Sequence, residues 1–390
     1  MVVTEVTSES WGGRIKDSIK GFIIGLGLFV FAFPVLWMNE GRAVRTEKSL
    51  KEGQGAVISV PPDSVNAANE HKLVHMSGRA TTAETLADPD FLVSQNAIKL
   101  RRKVEMYQWE QKKEEKERKK LGGGSEKVTT YSYVKTWSDS PINSSDFKES
   151  GHENPASMPF QSGEQTASKV TLGAFTLTPS LVGKMSDYEK VPVDDKSLAA
   201  LPKAMQSKLK IADGSFYQGA NPATPEIGDA RVTFSAVAPA DVSVVAQQEG
   251  GSFQPYKAKA GVDIEMLRRG IVGAQQMFEM ALKENTILTW ILRAVGFFMM
   301  FLGLALFFRP LSVLGDVVPM FGSLLAFGTG LFAFAIAAVL SVGTIGVAWI
   351  IYRPVLGIAL LAVAIGLLVW LAVSGRKRAA AKAGVAQATA

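Results

Sequence analysis

Apolar positions along this chain are pooled instead of alternating evenly with polar ones. From Gly21 to Met38, GFIIGLGLFVFAFPVLWM, there is no charged residue. At about 1.5 Å per helical residue such a run crosses most of a roughly 30 Å hydrocarbon core. Arg14, Lys16 and Lys20 precede it, as they would in a signal peptide. The run closes on Phe33-Pro34-Val35-Leu36-Trp37-Met38, which lacks a small-residue cleavage pattern and ends with an aromatic suited to the interface. A retained membrane helix over 21–38 is the reading.

A second apolar run covers 289–308, with Arg293 just inside its start and Arg309-Pro310 at its close. Arg293 can snorkel to the headgroups, so it is read as needing no functional role. From Val317 to Gly375 the one charge is Arg353, and that length exceeds a single span. Tyr352-Arg353-Pro354 divides it into a third helix over 326–351 and a fourth over 355–373, with 309–325 as a short cytoplasmic or interfacial segment. An even number of spans puts both termini on one side. Arg376, Lys377, Arg378 and Lys382 in the tail 374–390 mark that side as cytoplasmic. The N-tail 1–20 is then cytoplasmic and residues 39–288 extracytoplasmic. Arg42, Arg45, Lys48 and Lys51 lie on the other side of the first span, but long loops translocate largely regardless of charge.

The long middle segment, roughly 250 residues, is large enough for its own core. Strand-like runs rich in Val, Thr, Tyr, Phe and Trp occupy 56–60, 72–76, 97–109, 128–137, 169–177, 231–237 and 242–246. One helix is predicted over 195–209, with Asp194 or Asp195 as N-cap and Pro202 as a break. An α+β domain with a mostly antiparallel sheet fits. The charged stretch Glu114 to Lys120, followed by Gly122-Gly123-Gly124, reads as a solvated hairpin tip in preference to a basic recognition loop. Leu267, Ile271, Ala274, Phe278 and Ala281 fall at helical spacing and predict an amphipathic helix packed on this domain.

Composition narrows the chemistry. Zero Cys among 390 residues excludes disulfides, thiolate metal centres and a cysteine nucleophile, and three His make a histidine-built metal centre unfavourable. The net charge of +6 is not arranged as a nucleic-acid binding face. There is no nucleophile elbow, phosphate-binding glycine loop or zincin helix. His71 and His75 have helical metal-ligand spacing but sit in a strand-like run. His152 beside Glu153 resembles a loop cap more than an acid/base pair. Asp229 and Arg231 suit an ion pair or turn cap. Arg293, Asp316 and Arg353 stand at span ends, so no polar transport path is expected. No cofactor, metal or catalytic residue is assigned. Gly21 and Gly25 form a small-xxx-small pair for helix packing, within the chain or between copies.

The residues now in hand resemble the transmembrane protein 43 (LUMA) family along essentially the whole chain. The resemblance rests on Asn39-Glu40-Gly41-Arg42-Ala43, Leu73-Val74-His75 and the run Lys99-Leu100-Arg101-Arg102-Lys103-Val104-Glu105-Met106-Tyr107-Gln108-Trp109. It continues through Thr130-Tyr131-Ser132-Tyr133, Ile142-Asn143-Ser144, His152 with Asn154-Pro155, Pro225-Glu226-Ile227-Gly228-Asp229 and Tyr352-Arg353-Pro354. It implies four spans, with a luminal domain in eukaryotic members at the endoplasmic reticulum and inner nuclear membrane. It also implies self-association and organisation of membrane protein complexes, with structural or interaction roles for these motif positions. The Lys/Glu-rich hairpin, the Ala-rich tail and the absence of Cys imply a bacterial member, with the domain periplasmic at the inner membrane. The function read here is a non-enzymatic, homo-oligomeric membrane scaffold that organises membrane lipids and other membrane proteins through its large extracytoplasmic domain. The alternative is a membrane-bound enzyme on lipid or cell-envelope material, using His75, Glu105, His152 or Asp229.

Overall fold

The computed structural model describes residues 2–359 and 362. The chain divides into two compact units. The first comprises 1–8, 49–118 and 126–281; the second comprises 9–48, 119–125 and the chain from 282 onward.

The elements that matter are β1 (Val2–Glu9), α1 (Trp11–Ala56), β2 (Leu73–Thr81), β3 (Lys99–Lys119), β4 (Ser125–Ser138), β5 (Ser215–Gln218), β6 (Ala230–Val237), β7 (Ala240–Glu249), β8 (Met266–Arg269), α2 (Ala274–Gly315) and α3 (Pro319–Tyr352). The first unit is β-rich. Its eight-stranded sheet runs β1-β4-β3-β6-β5 and then Leu209–Ala212, with Glu189–Val191 on β6 and Gly163–Thr166 on β3. A seven-stranded sheet is centred on the antiparallel pair β2–β7, with β8 also on β7.

Alternation explains β3. Leu100, Val104 and Met106 are buried, while Lys103 is exposed and Arg101, Glu105, Tyr107 and Trp109 are half-buried on the opposite face. β6 pairs with it in register, Val232 opposite Val104 and Arg231 opposite Glu105. Residues of both sheets meet in one core around Val74, Met76, Val104, Phe234 and Val244. Phe91 lies against Phe216 and Phe234 there, and each fully buried ring contributes on the order of 2 kcal/mol. Arg102 is the exception on the inward face: it is buried, and its Nη1 lies 2.7 Å from both Asp88 and Asp90 carboxylates.

Several elements differ from their expected limits. β3 extends ten residues past Trp109 because the partner strand β4 keeps its backbone paired through the charged stretch. The strand expected over 169–177 is a tight hairpin, Thr171–Leu172 with Phe175–Thr176. The helix expected over 195–209 is split at Pro202 into Asp195–Ala200 and Lys203–Gln206, with Asp194 capping through Ser197 N–H. The amphipathic stretch is corrected: 266–269 is β8, pairing with β7, Gly270 has φ +86°, and the helix starts only at Ala274. Leu267 therefore faces the core from a strand, and the helical spacing it shared with Ile271 was coincidental.

Among the described residues, three helices are long and apolar enough to cross a membrane, contributed by α1, α2 and α3. Their length exceeds the expected spans at most ends. α1 has 46 residues, about 69 Å, and takes Pro34 inside it, as membrane helices tolerate. α2 continues through Pro310 to Gly315 and α3 begins at Pro319, so most of 309–325 is helical. The fourth span expected over 355–373 and the basic tail 374–390 lie, beyond 359, outside the described residues.

Candidate functional site

Where the apolar run of α1 ends, four consecutive residues each find a partner on another helix of the second unit. Asn39 donates from Nδ2 to Thr289 O at 3.1 Å. Glu40, 1% exposed, accepts both Nε and Nη2 of Arg293, at 2.7 and 2.9 Å, and Trp349 Nε1–H at 2.7 Å. Gly41 lies against the Tyr352 ring, and a Cβ there would come 2.8 Å from Tyr352 Cζ. Arg42 donates to Asn285 Oδ1 at 2.9 Å and to Thr289 Oγ1 at 3.1 Å. One turn on, Glu47 accepts Arg353 Nη2 at 2.5 Å. Helical periodicity sets these choices: 39 and 42 share the face towards α2, while 40 and 47 share another.

This corrects the reading of Arg293. It forms a bidentate pair with a buried carboxylate and lies over the Trp290 and Trp349 rings, 4.7 and 5.5 Å from their centroids. In an apolar setting an unpaired carboxylate is costly, so the pair couples α1 to α2 and, through Trp349, to α3. Nearer the N-terminal end of α1, Gly25 meets Gly303 of α2: a Cβ on Gly25 would stand 2.6 Å from Gly303 O. Gly21 has only ordinary spacing, 3.8 Å to Leu306. The small-residue pairing is therefore Gly25 with Gly303 inside one chain.

Sequence reasoning missed a second buried charge group. Asp316, 1% exposed after α2, takes Arg14 Nη2 at 2.6 Å and Lys119 Nζ at 2.7 Å. Arg14 Nη1 also donates to Gly123 O at 2.6 Å, Gly122 N–H to Val317 O at 3.1 Å, and Trp11 Nε1–H to Val313 O at 3.0 Å. The hairpin turn is thus held against helix ends, although 114–118 remains exposed. An acid standing alone between two apolar runs was the available signal.

In the first unit, the motif residues finish the edge of β3. After the β6 ladder ends, Tyr107 N–H donates to Asp229 O at 2.7 Å and Tyr107 O accepts Gly228 N–H at 2.9 Å. Asn154 then imitates a strand, accepting Trp109 N–H at 2.7 Å and donating to Trp109 O at 2.9 Å. Gly228, at φ +93°, packs on Pro155. Asp229 Oδ2 accepts Tyr217 O–H at 2.5 Å and Glu226 N–H at 2.9 Å, a turn cap that pushes the Tyr217 phenol up, through burial first and the carboxylate second. Arg231 pairs with Glu105 at 2.8 Å, not with Asp229. Burial pushes the Glu105 carboxyl up, but Arg231 and Lys103 outweigh it and hold it below its ordinary value. His152 stacks on Tyr133 with centroids 4.0 Å apart and meets Trp109 edge-on at 4.5 Å. Arg101 sits 3.8 Å from the Tyr188 ring centroid.

His75 lies in the other sheet, its Nε2 2.8 Å from Val272 O and its Nδ1 3.1 Å from Ser59 Oγ. The four residues of the enzyme reading therefore have separate partners. A cleft of about 380 Å³ is lined by Lys184, Asp187, Glu189, Arg268 and Arg269 and contains none of them.

The profile of the family described as transmembrane protein 43 matches residues 106–354. The chain belongs to the transmembrane protein 43 family. It is 38% identical over 367 residues to transmembrane protein 43 of Mus musculus, covering 90% of each chain. It is 37% identical over 355 residues to the Homo sapiens protein, covering 87% of this chain and 86% of that one. The Drosophila melanogaster homolog is 31% identical over 360 residues, covering 89% and 93% respectively. No solved structure matches the chain. The transmembrane protein 43 match begins at Met106, so it includes the Tyr107–Trp109 edge, its caps at Asn154 and Asp229, and the helix partners Arg293 and Trp349. Asn39 to Arg42, which meet those partners, precede it.

Proposed function

We propose that this transmembrane protein 43 family member is a non-enzymatic multi-pass scaffold that self-associates and organises membrane proteins or lipids around its helices. The observation that carries the reading is the way the motif residues are spent. Asn39, Glu40 and Arg42 join helices, while Asn154, Gly228 and Asp229 close a strand edge. Such residues make a rigid platform. α3 offers exposed Phe327, Leu331, Val339 and Val342 for lateral contact with lipid or other helices. The Cys-free composition and Lys/Glu-rich hairpin favour a bacterial inner membrane, and the basic tail favours residues 39–288 on its periplasmic side.

Native mass spectrometry of the protein released from mild detergent tests this. A discrete oligomer carrying lipid supports the scaffold. A monomer with a stoichiometric small metabolite overturns it in favour of an enzyme or carrier.

A further inference from the structure

The three histidines of the chain have different fates. His75 has both ring nitrogens engaged, and His152 is stacked on Tyr133 with Trp109 edge-on to it. His71 is exposed two residues before β2, in the left-handed region at φ +59°. Its Nδ1 stands 3.0 Å from Glu249 Oε2, with side-chain exposures of 65% and 48%. Glu70 completes the group, and one ligand atom from each of the three residues lies within 4.8 Å of the others.

The backbone fixes this convergence. His71 N–H donates to Gln248 O at 3.1 Å, and Gln248 N–H returns a bond to Lys72 O at 3.0 Å. The Glu70 carboxylate is oriented by Gly250 N–H, 2.9 and 3.1 Å from its two oxygens. Beneath it lies Gln248, 0% exposed, with its amide Nε2 3.5 Å from Glu70 Oε2. The Oε1 of that same amide is buried without a hydrogen-bond partner among the described residues. Two carboxylates thus meet one imidazole.

We infer that Glu70, His71 and Glu249 bind a divalent transition-metal cation of the Zn²⁺ class, with water completing the coordination. Imidazole plus carboxylate is a donor set such ions accept, and tetrahedral bonds of about 2.1 Å put ligand atoms about 3.4 Å apart. The observed 3.0 Å pair brackets that spacing from below and the 4.8 Å limit from above, so small rotations of the exposed His71 and Glu249 side chains about a half-buried Glu70 close the site. The cation pins the segment before β2 to the end of β7.

The test is isothermal titration of ZnCl₂ into the full-length protein in detergent, carried without a histidine tag and stripped with chelator, at pH 7.5. One site per chain with micromolar affinity is expected. His71→Ala and Glu249→Gln should each weaken it at least tenfold, while His152→Gln leaves it unchanged. Bound Zn²⁺ should also raise the melting temperature of the parent and not of His71→Ala. Absence of saturable binding, or equal binding by both variants when their circular dichroism matches the parent, overturns the site and leaves an exposed ion pair.

Discussion

Glu40 and Arg293 are 253 residues apart in sequence, and their side chains form two parallel bonds of 2.7 and 2.9 Å. Trp349 occupies the same carboxylate at 2.7 Å, so one acid on α1 holds a residue of each other long helix. Removing one member of a buried pair costs about 3–5 kcal/mol, because the remaining charge loses its partner. Glu40→Gln should therefore lower stability by that order. The double variant Glu40→Gln with Arg293→Met should recover part of the loss. Unfolding in detergent measures both. Strictly additive losses would show that the pair is uncoupled.

The Gly25–Gly303 crossing makes a prediction that separates two neighbouring glycines. A Cβ on Gly25 comes 2.6 Å from Gly303 O and 2.7 Å from Leu306 Cβ, whereas Gly21 has nothing closer than 3.8 Å. Gly25→Leu should cost about 1–3 kcal/mol as α1 and α2 are forced apart. Gly21→Leu should be near neutral. Proteolysis rates of the purified variants distinguish them, and equal sensitivity would refute the close crossing.

Acid should weaken the first unit through carboxylates whose native pairing lowers their pKa. Burial pushes Glu105 up from 4.5, but Arg231 and Lys103 bring it below that value; Glu265 is likewise lowered against its burial by Lys184 and Ser180. A carboxyl with a lowered folded pKa contributes stability above its unfolded value and loses it as pH falls through the folded one. That contribution should be complete at pH 7 and fade below about pH 4.5. Glu105→Gln should be less stable than the parent at pH 7 and lose stability less steeply below pH 4.5. Melting curves across that range provide the check.

How much of this was legible beforehand depends on range. Alternation along Leu100 to Trp109 is a local signal, and a strand was expected over 97–109; its charged extension to Lys119 depends on pairing with β4 and was not legible. The break at Pro202 and the cap at Asp194 are local too. The Glu40–Arg293 bond, by contrast, joins positions whose proximity depends on how three helices pack, and snorkelling accounted for Arg293 without it. Leu267 was misplaced because strand β8 and a helix both tolerate its neighbours, and only pairing with Val244 decides between them. The motif at Asn154 was visible, yet its work as a substitute strand required Trp109 to be an open edge.

The Asp316 group leads to the most consequential measurement. Arg14 and Glu40 are 26 residues apart on α1, about 39 Å, which exceeds a roughly 30 Å hydrocarbon core. If α1 crosses the bilayer between them, the basic tail places residues following Met38 opposite Arg14. Yet Lys119 and Gly123, which follow Met38, bond with Arg14 and its partner Asp316. The chain has no Cys, so single cysteines report sidedness directly. Ser10 and Arg45 are exposed, and Leu121 is 86% exposed, so each position can take the label. Leaving Asp316 buried without its cations is costly, so Leu121→Cys should react with a membrane-impermeant maleimide from the same side as Ser10→Cys. That result would overturn the placement of residues 1–20 opposite 39–288. Labelling of Leu121→Cys with Arg45→Cys and opposite Ser10→Cys would instead show that the Asp316 group does not form across a bilayer.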